Sequence, residues 1–158
     1  MQIKRYETTM AEEVAALLRG CFAEHRRLQP MNLLTPPTPW ETHDELLAML
    51  ESGAISPELS HVAIEGGRIV SAAVATHAGE HWEWWRIATL PSHRRRGHGR
   101  ACMEAGESAA AAVGLQAVQT GPVVDSRWQA AQALLSSLGY ELEDPERRNI
   151  TMVAEGWT

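Results

Sequence analysis

The chain has 158 residues, a length that suits one domain with a real core and is short for two. Hydrophobic residues make up 44% and charged residues 22%, the composition of a soluble globular protein, and no apolar run approaches the roughly 18 residues a membrane span needs. Twenty acidic against 14 basic residues give a net charge of −6, which sets non-specific nucleic-acid binding aside and favours a cationic, amine-bearing partner.

Glu7, Glu12 and Glu13 occupy the stretch where a secretion signal would be apolar, so the cytoplasm is the expected compartment. Cys21 and Cys102 are the only cysteines, and each lies inside a helical pattern; they read as buried free thiols.

Residues 1–7 read as a short strand. Thr9-x-x-Glu12 forms a capping box, and Val14, Leu17, Leu18, Cys21 and Phe22 follow at helical spacing, giving an amphipathic helix that ends before Pro30. Four prolines in 30–39 exclude regular structure there. A second box, Thr38-x-x-Glu41 with Pro39 at the first helical position, opens a helix carrying Leu46, Leu47, Met49 and Leu50 that stops near Gly53.

The run 61–65, then Gly66-Gly67, then 68–76 reads as a hairpin with a two-residue turn. Residues 81–90 form a further strand rich in aromatic and β-branched side chains. The Ala-rich run 99–113 is helical and stops at Gly114, and 115–120 is a strand. Ser126-x-x-Gln129 caps a last helix with Ala130, Ala131, Leu134, Leu135 and Leu138, closed by Gly139. Strands at 140–142 and 149–154 finish the chain. The order β-α-α-β-β-β-α-β-α-β-β predicts an α/β fold, a mixed twisted sheet with helices on both faces, and 1–158 reads as a single domain.

The most informative segment joins the 81–90 strand to the next helix: Arg94-Arg95-Arg96-Gly97-His98-Gly99-Arg100. Gly97 and Gly99 can take backbone angles closed to other residues and let a ligand approach the main chain. The following helix offers unpaired N–H groups and a positive dipole end, and the arginines suit a polyanion. A dinucleotide loop of the Rossmann type needs a third glycine where Cys102 stands, and a Walker A loop needs Gly-Lys-Ser/Thr. A surface turn with a solvated arginine run is the remaining alternative.

The spacing Arg-x-x-Gly-x-Gly in this order of elements resembles the pyrophosphate motif of the GNAT superfamily of acyl-CoA-dependent N-acyltransferases. The resemblance covers residues 1–154. It implies acetyl-CoA as co-substrate, held by Arg94, Arg95, Arg96, Gly97, His98, Gly99 and Arg100, with Ala88, Thr89 and Leu90 placed to pair with the pantetheine amides and Ser126 beside them. It also implies N-acetyl transfer to a primary amine of a small molecule or peptide, with a homodimer as a possible assembly. Neither a membrane nor a nucleic acid is an expected partner.

The place of Glu83 before Arg94 matches that of the catalytic glutamate in some members, such as the histone acetyltransferases. Alternation along the strand puts His81, Glu83, Trp85, Ile87 and Thr89 on one face, and a carboxylate among aromatic and aliphatic groups accepts a proton more readily than one in water. His81 is the second candidate, since imidazole titrates near neutrality. The family's usual tyrosine acid falls at Leu135, which cannot donate a proton, and its frequent asparagine falls at Trp128. Ser126 or Ser136 are the substitutes, or the thiolate leaves unassisted, as a thiol of pKa about 8.5 can. The missing tyrosine motivates the alternative of a non-catalytic acyl-CoA sensor or partner module. His77 and His81 flank Gly79 off any helix, with no Cys or carboxylate to complete a zinc pattern, so no metal site is expected.

Overall fold

A computed structural model describes residues 1–28, 42–78, 81–120, 124–125, 129–142, 149–150 and 152–154. Strand β1 (Gln2–Arg5) leads into a 3-10 turn at Thr8–Met10, then α1 (Ala11–Leu28) and α2 (His43–Glu51). Strands β2 (His61–Glu65), β3 (Arg68–Ala78) and β4 (His81–Thr89) follow, and after a second 3-10 turn at Pro91–His93 comes α3 (His98–Ala112). Strands β5 (Gln116–Thr120) and β6 (Val124–Asp125), helix α4 (Gln129–Ser137) and strands β7 (Tyr140–Leu142), β8 (Asn149–Ile150) and β9 (Met152–Ala154) complete the order.

The central sheet runs β1-β2-β3-β4-β5; its first three pairings are antiparallel and β4–β5 is parallel, while β6–β8 and β7–β9 form two small antiparallel pairs. The sheet is therefore mixed, as expected. The β2–β3 hairpin turns on Gly66 and Gly67 at φ +60° and +74°, a conformation with two positive φ values that only glycine adopts without cost.

Two apolar layers sandwich the sheet. On one face Tyr6, Val14, Leu17, Leu18, Leu46 and Leu50 from the β1 end, α1 and α2 pack on Val62, Ala72, Val74 and Ala88. On the other, Cys102, Met103 and Ala110 of α3 and Leu135 of α4 pack on Ala63, Ala73, Ala75, Trp82 and Trp84. Gly106 allows α3 to lie this close, since a Cβ there would stand 2.5 Å from both Leu59 O and Trp84 Cη2.

The two helix starts differ from their expected forms. Thr9 lies within the 3-10 turn, where Met10 N–H donates to Glu7 O, and the chain passes from that turn into α1. Thr38, Pro39 and Glu41 lie outside the described residues; α2 is capped by Thr42, whose Oγ1 accepts from Glu45 N–H at 3.3 Å. Strand 149–154 divides into β8 and β9, and β6 is a short addition that alternation does not reveal in two residues.

Candidate functional site

Between β4 and α3 the backbone alternates in hand. Arg94 has φ −70°, Arg95 φ +62° and Gly97 φ +84°, while Arg96 has no positive φ. Such alternation turns successive amide N–H groups toward one side, making a concavity that accepts an anion. Gly97 is the N-cap of α3, no side chain caps that helix, and no acidic residue stands in its first turn. Ala101 N–H is satisfied by Gly97 O at 3.0 Å. Arg94, Arg95 and Arg96 are exposed around the concavity. Arg95 is the one positive-φ residue other than glycine among the described residues, a conformation that costs about 1–3 kcal/mol and marks a backbone held for a purpose.

Several side chains of the motif are committed to the protein. Arg94 Nε donates to Thr89 O at 3.0 Å. Arg100 donates from Nε to Glu104 at 2.9 Å and from Nη1 to Ser137 Oγ at 2.7 Å, which ties α3 to α4. His98 turns inward: its ring is 4% exposed, with Nδ1 3.1 Å from His93 O and Nε2 2.7 Å from Glu65 Oε2. What His98 offers a ligand is its backbone in the first turn of α3. Gly99 also departs from expectation. It has no positive φ, and an added Cβ would meet Thr89 Oγ1 at 3.4 Å, Leu134 at 3.7 Å and Ser71 Oγ at 3.8 Å. Its glycine seats the helix on the sheet, whereas Gly97 has open space around it and carries the left-handed turn.

Thr89 anchors the strand end from both sides of the sheet. Its Oγ1 bonds Ser71 Oγ at 2.7 Å, and its carbonyl accepts from Cys21 Sγ at 3.5 Å as well as from Arg94. Ala88 O accepts from Ser71 Oγ, and Leu90 N–H donates to Val70 O. Both cysteines are buried and free, and burial pushes the Cys102 thiol up to about 12, which makes it an inert packing group.

The expected face of β4 is corrected by a bulge. Arg86 pairs with Val74 but Trp84 pairs with Ala75, so Trp85 is an extra residue and the alternation changes phase. Before it, Trp82 and Trp84 point to the α3 layer, in edge-to-face contact at 4.8 Å. After it, Ile87 packs on that layer, while Ala88 points to α1 and α2. Glu83, paired with Thr76, therefore shares the α1–α2 face with Arg86 and Ala88, opposite Trp82, Trp84, Ile87 and Thr89. Of the neighbours expected for Glu83, Ile87 and Thr89 thus stand on the other face. Burial lowers the Arg86 guanidinium to about 10, and sequence reasoning missed this residue because a charged side chain in a strand reads as exposed.

The parallel pairing of β4 with β5 begins at His81↔Gln116 and ends at Trp84↔Thr120, with an irregularity after Trp82. Beyond it, no described strand pairs with the β5 side of Trp85–Thr89.

At the usual acid position, Leu135 is buried in the α3 layer, and Ser136 is exposed. Tyr140 lies close by: its hydroxyl accepts from Trp84 Nε1–H at 2.7 Å and donates to Glu107 Oε1 at 3.1 Å. Burial raises the Glu107 carboxyl and pushes the Tyr140 phenol up. No local signal announces this chain of bonds, because its members are far apart in sequence. Ser126 and Trp128 lie outside the described residues, as do the side chains of His81 and Trp85.

Comparison with curated protein sequences gives no match. Solved structures share the architecture. A PaiA N-acetyltransferase from Thermoplasma acidophilum, in complex with coenzyme A, superposes with a TM-score of 0.75 at 12% identity, covering 97% of both chains. The ribosomal-protein-S18-alanine N-acetyltransferase of Escherichia coli gives 0.63 at 16% identity, covering 96% of this chain and 90% of that one. The diaminobutyrate acetyltransferase EctA of Paenibacillus lautus, in complex with L-2,4-diaminobutyric acid and coenzyme A, gives 0.65 at 16% identity, over 97% and 93%. At these identities the likeness is one of fold. The model of the acetyltransferase (GNAT) family matches residues 25–140, most of the chain and the whole of the β4–α3 loop; this protein belongs to that family of acyltransferase enzymes.

Proposed function

We propose that residues 1–158 are one cytoplasmic N-acetyltransferase domain that moves the acetyl group of acetyl-CoA to a primary amine of a small molecule or peptide. The observation that carries this reading is the β4–α3 loop: alternating φ from Arg94 to Gly97, then a helix start with no side-chain cap. The diphosphate of acetyl-CoA is the ligand we assign to it. Main-chain N–H groups from Arg95 to Arg100 bind the phosphate oxygens, and the exposed arginines add charge-assisted bonds. The pantetheine arm runs along Ala88, Thr89 and Leu90 at the end of β4.

The amine nitrogen attacks the thioester carbonyl carbon directly, the C–S bond breaks, and the sulfur leaves as thiolate. Glu83, on the face toward α1 and α2, takes the amine proton directly or through a water, with His81 as the second candidate. With Leu135 at the usual acid position, the thiolate departs unassisted or takes its proton from Ser126, Ser136 or solvent. The net charge of −6 favours a cationic acceptor, and the diamino acid bound by one structural neighbour is an acceptor of that kind.

Glu83→Gln tests the assignment of the base. Acetyl-CoA affinity should stay nearly unchanged while turnover at neutral pH falls about 10²-fold, a typical general-base contribution. An equal loss of binding and turnover would make Glu83 structural, and an unchanged turnover would remove it from the chemistry.

A further inference from the structure

We propose that His98 and Glu65 are a positioning pair for the diphosphate of acetyl-CoA: the buried His98 ring, held between His93 O and the Glu65 carboxylate, fixes the loop whose amides bind the ligand. The proposal rests on the acetyl-CoA reading of that loop and adds residues that do not touch the ligand. Three elements meet at this ring. His98 is the first residue of α3, His93 ends the 3-10 turn before the loop, and Glu65 ends β2 at the hairpin tip. The two ring contacts, 3.1 Å and 2.7 Å, thus bracket Arg94 to Gly97 and pin both ends of the loop to the sheet.

The chemistry of the contacts is specific. A carbonyl oxygen and an ionised carboxylate can only accept, so each ring nitrogen donates. The bond from His98 holds the Glu65 carboxyl below the usual carboxylate range, and the charges of His98, His93 and Arg96 act in the same direction. The His93 and His98 rings also meet edge to face at 5.9 Å. Arg95 needs such support, because its positive φ persists only where its surroundings impose it. Removing the clamp lets the loop relax and misaligns its N–H groups, which costs diphosphate recognition and leaves the hold on the pantetheine arm intact.

Glu65 is the residue to change, since its side chain is 41% exposed and its loss opens no core. The test compares acetyl-CoA with S-acetylpantetheine, which carries the thioester and the pantetheine arm but no diphosphate. In Glu65→Leu the ratio of kcat/KM for the two donors should fall about tenfold, the scale of one charge-assisted hydrogen bond, with the rise in KM confined to acetyl-CoA. Glu65→Gln, which keeps an acceptor without the charge, should lie between. His98→Leu combined with Glu65→Leu should lower the ratio no further than His98→Leu alone. An unchanged ratio in both Glu65 variants, or equal losses for both donors, would overturn the proposal. A wild-type enzyme that shows no preference for acetyl-CoA over S-acetylpantetheine would instead overturn the diphosphate assignment itself, and the pair with it.

Discussion

Helices α2 and α3 begin in opposite ways. At α2 the protein supplies its own cap: Thr42 Oγ1 accepts from Glu45 N–H, and Asp44 and Glu45 place negative charge on the positive end of the helix dipole. At α3 the N-cap is a left-handed Gly97 without a side chain, the first turn holds no acid, and arginines surround it. One start is complete; the other is the one we propose an anion completes. A solvated arginine run has no need of alternating backbone hand, a strained Arg95 or a buried ring beneath the loop, and those features support the proposed ligand site over a surface turn.

Making the α3 start resemble that of α2 should have the largest effect. Gly97→Asp puts a carboxylate where the diphosphate is assigned and imposes a side chain at φ +84°, so acetyl-CoA affinity should fall by at least 10²-fold, measured by calorimetry. Retained affinity would mean that the ligand binds elsewhere. Next in size is Gly106→Ala, deep in the same helix. With the new methyl 2.5 Å from Leu59 O and Trp84, it should cost about 2–3 kcal/mol in urea unfolding, an effect of overpacking. A cost below 0.5 kcal/mol would show that α3 shifts easily, and with it the site. The smallest effect belongs to α2. Thr42→Ala should cost about 1 kcal/mol of stability and leave acetyl-CoA affinity unchanged, so that a parallel loss of binding would erase the contrast between the two starts.

The sequence made legible what is decided locally. The Gly66-Gly67 hairpin, the glycine stop at Gly114 and the left-handed Gly97 before α3 all depend on residues within a few positions of one another, and all stand as expected. The phase of β4 did not, because the extra residue at Trp85 is set by pairing with β3 and by Ser60 Oγ and Ser56 N–H, which take up the main chain of Ala75. That bulge puts Ile87 and Thr89, which alternation groups with Glu83, on the opposite face from it. The motif names His98 and Gly99 for their main-chain N–H groups; that helix phase turns the His98 ring and the Gly99 face inward is not legible from it. Glu65, Arg86, Glu107 and Tyr140 acquire their environments only when distant segments meet, and no spacing rule reaches across such separations.

If the uncapped start of α3 holds the diphosphate of acetyl-CoA as proposed, thermal unfolding with and without the ligand will show it. A ligand that binds only the folded state adds about 2.7 kcal/mol at a hundredfold excess over Kd. Acetyl-CoA should raise the Tm of the wild-type protein, Thr42→Ala should show the same rise from a lower starting point, and Gly97→Val should show none. The same rise in Gly97→Val as in the wild type would mean that the diphosphate does not bind at the start of α3.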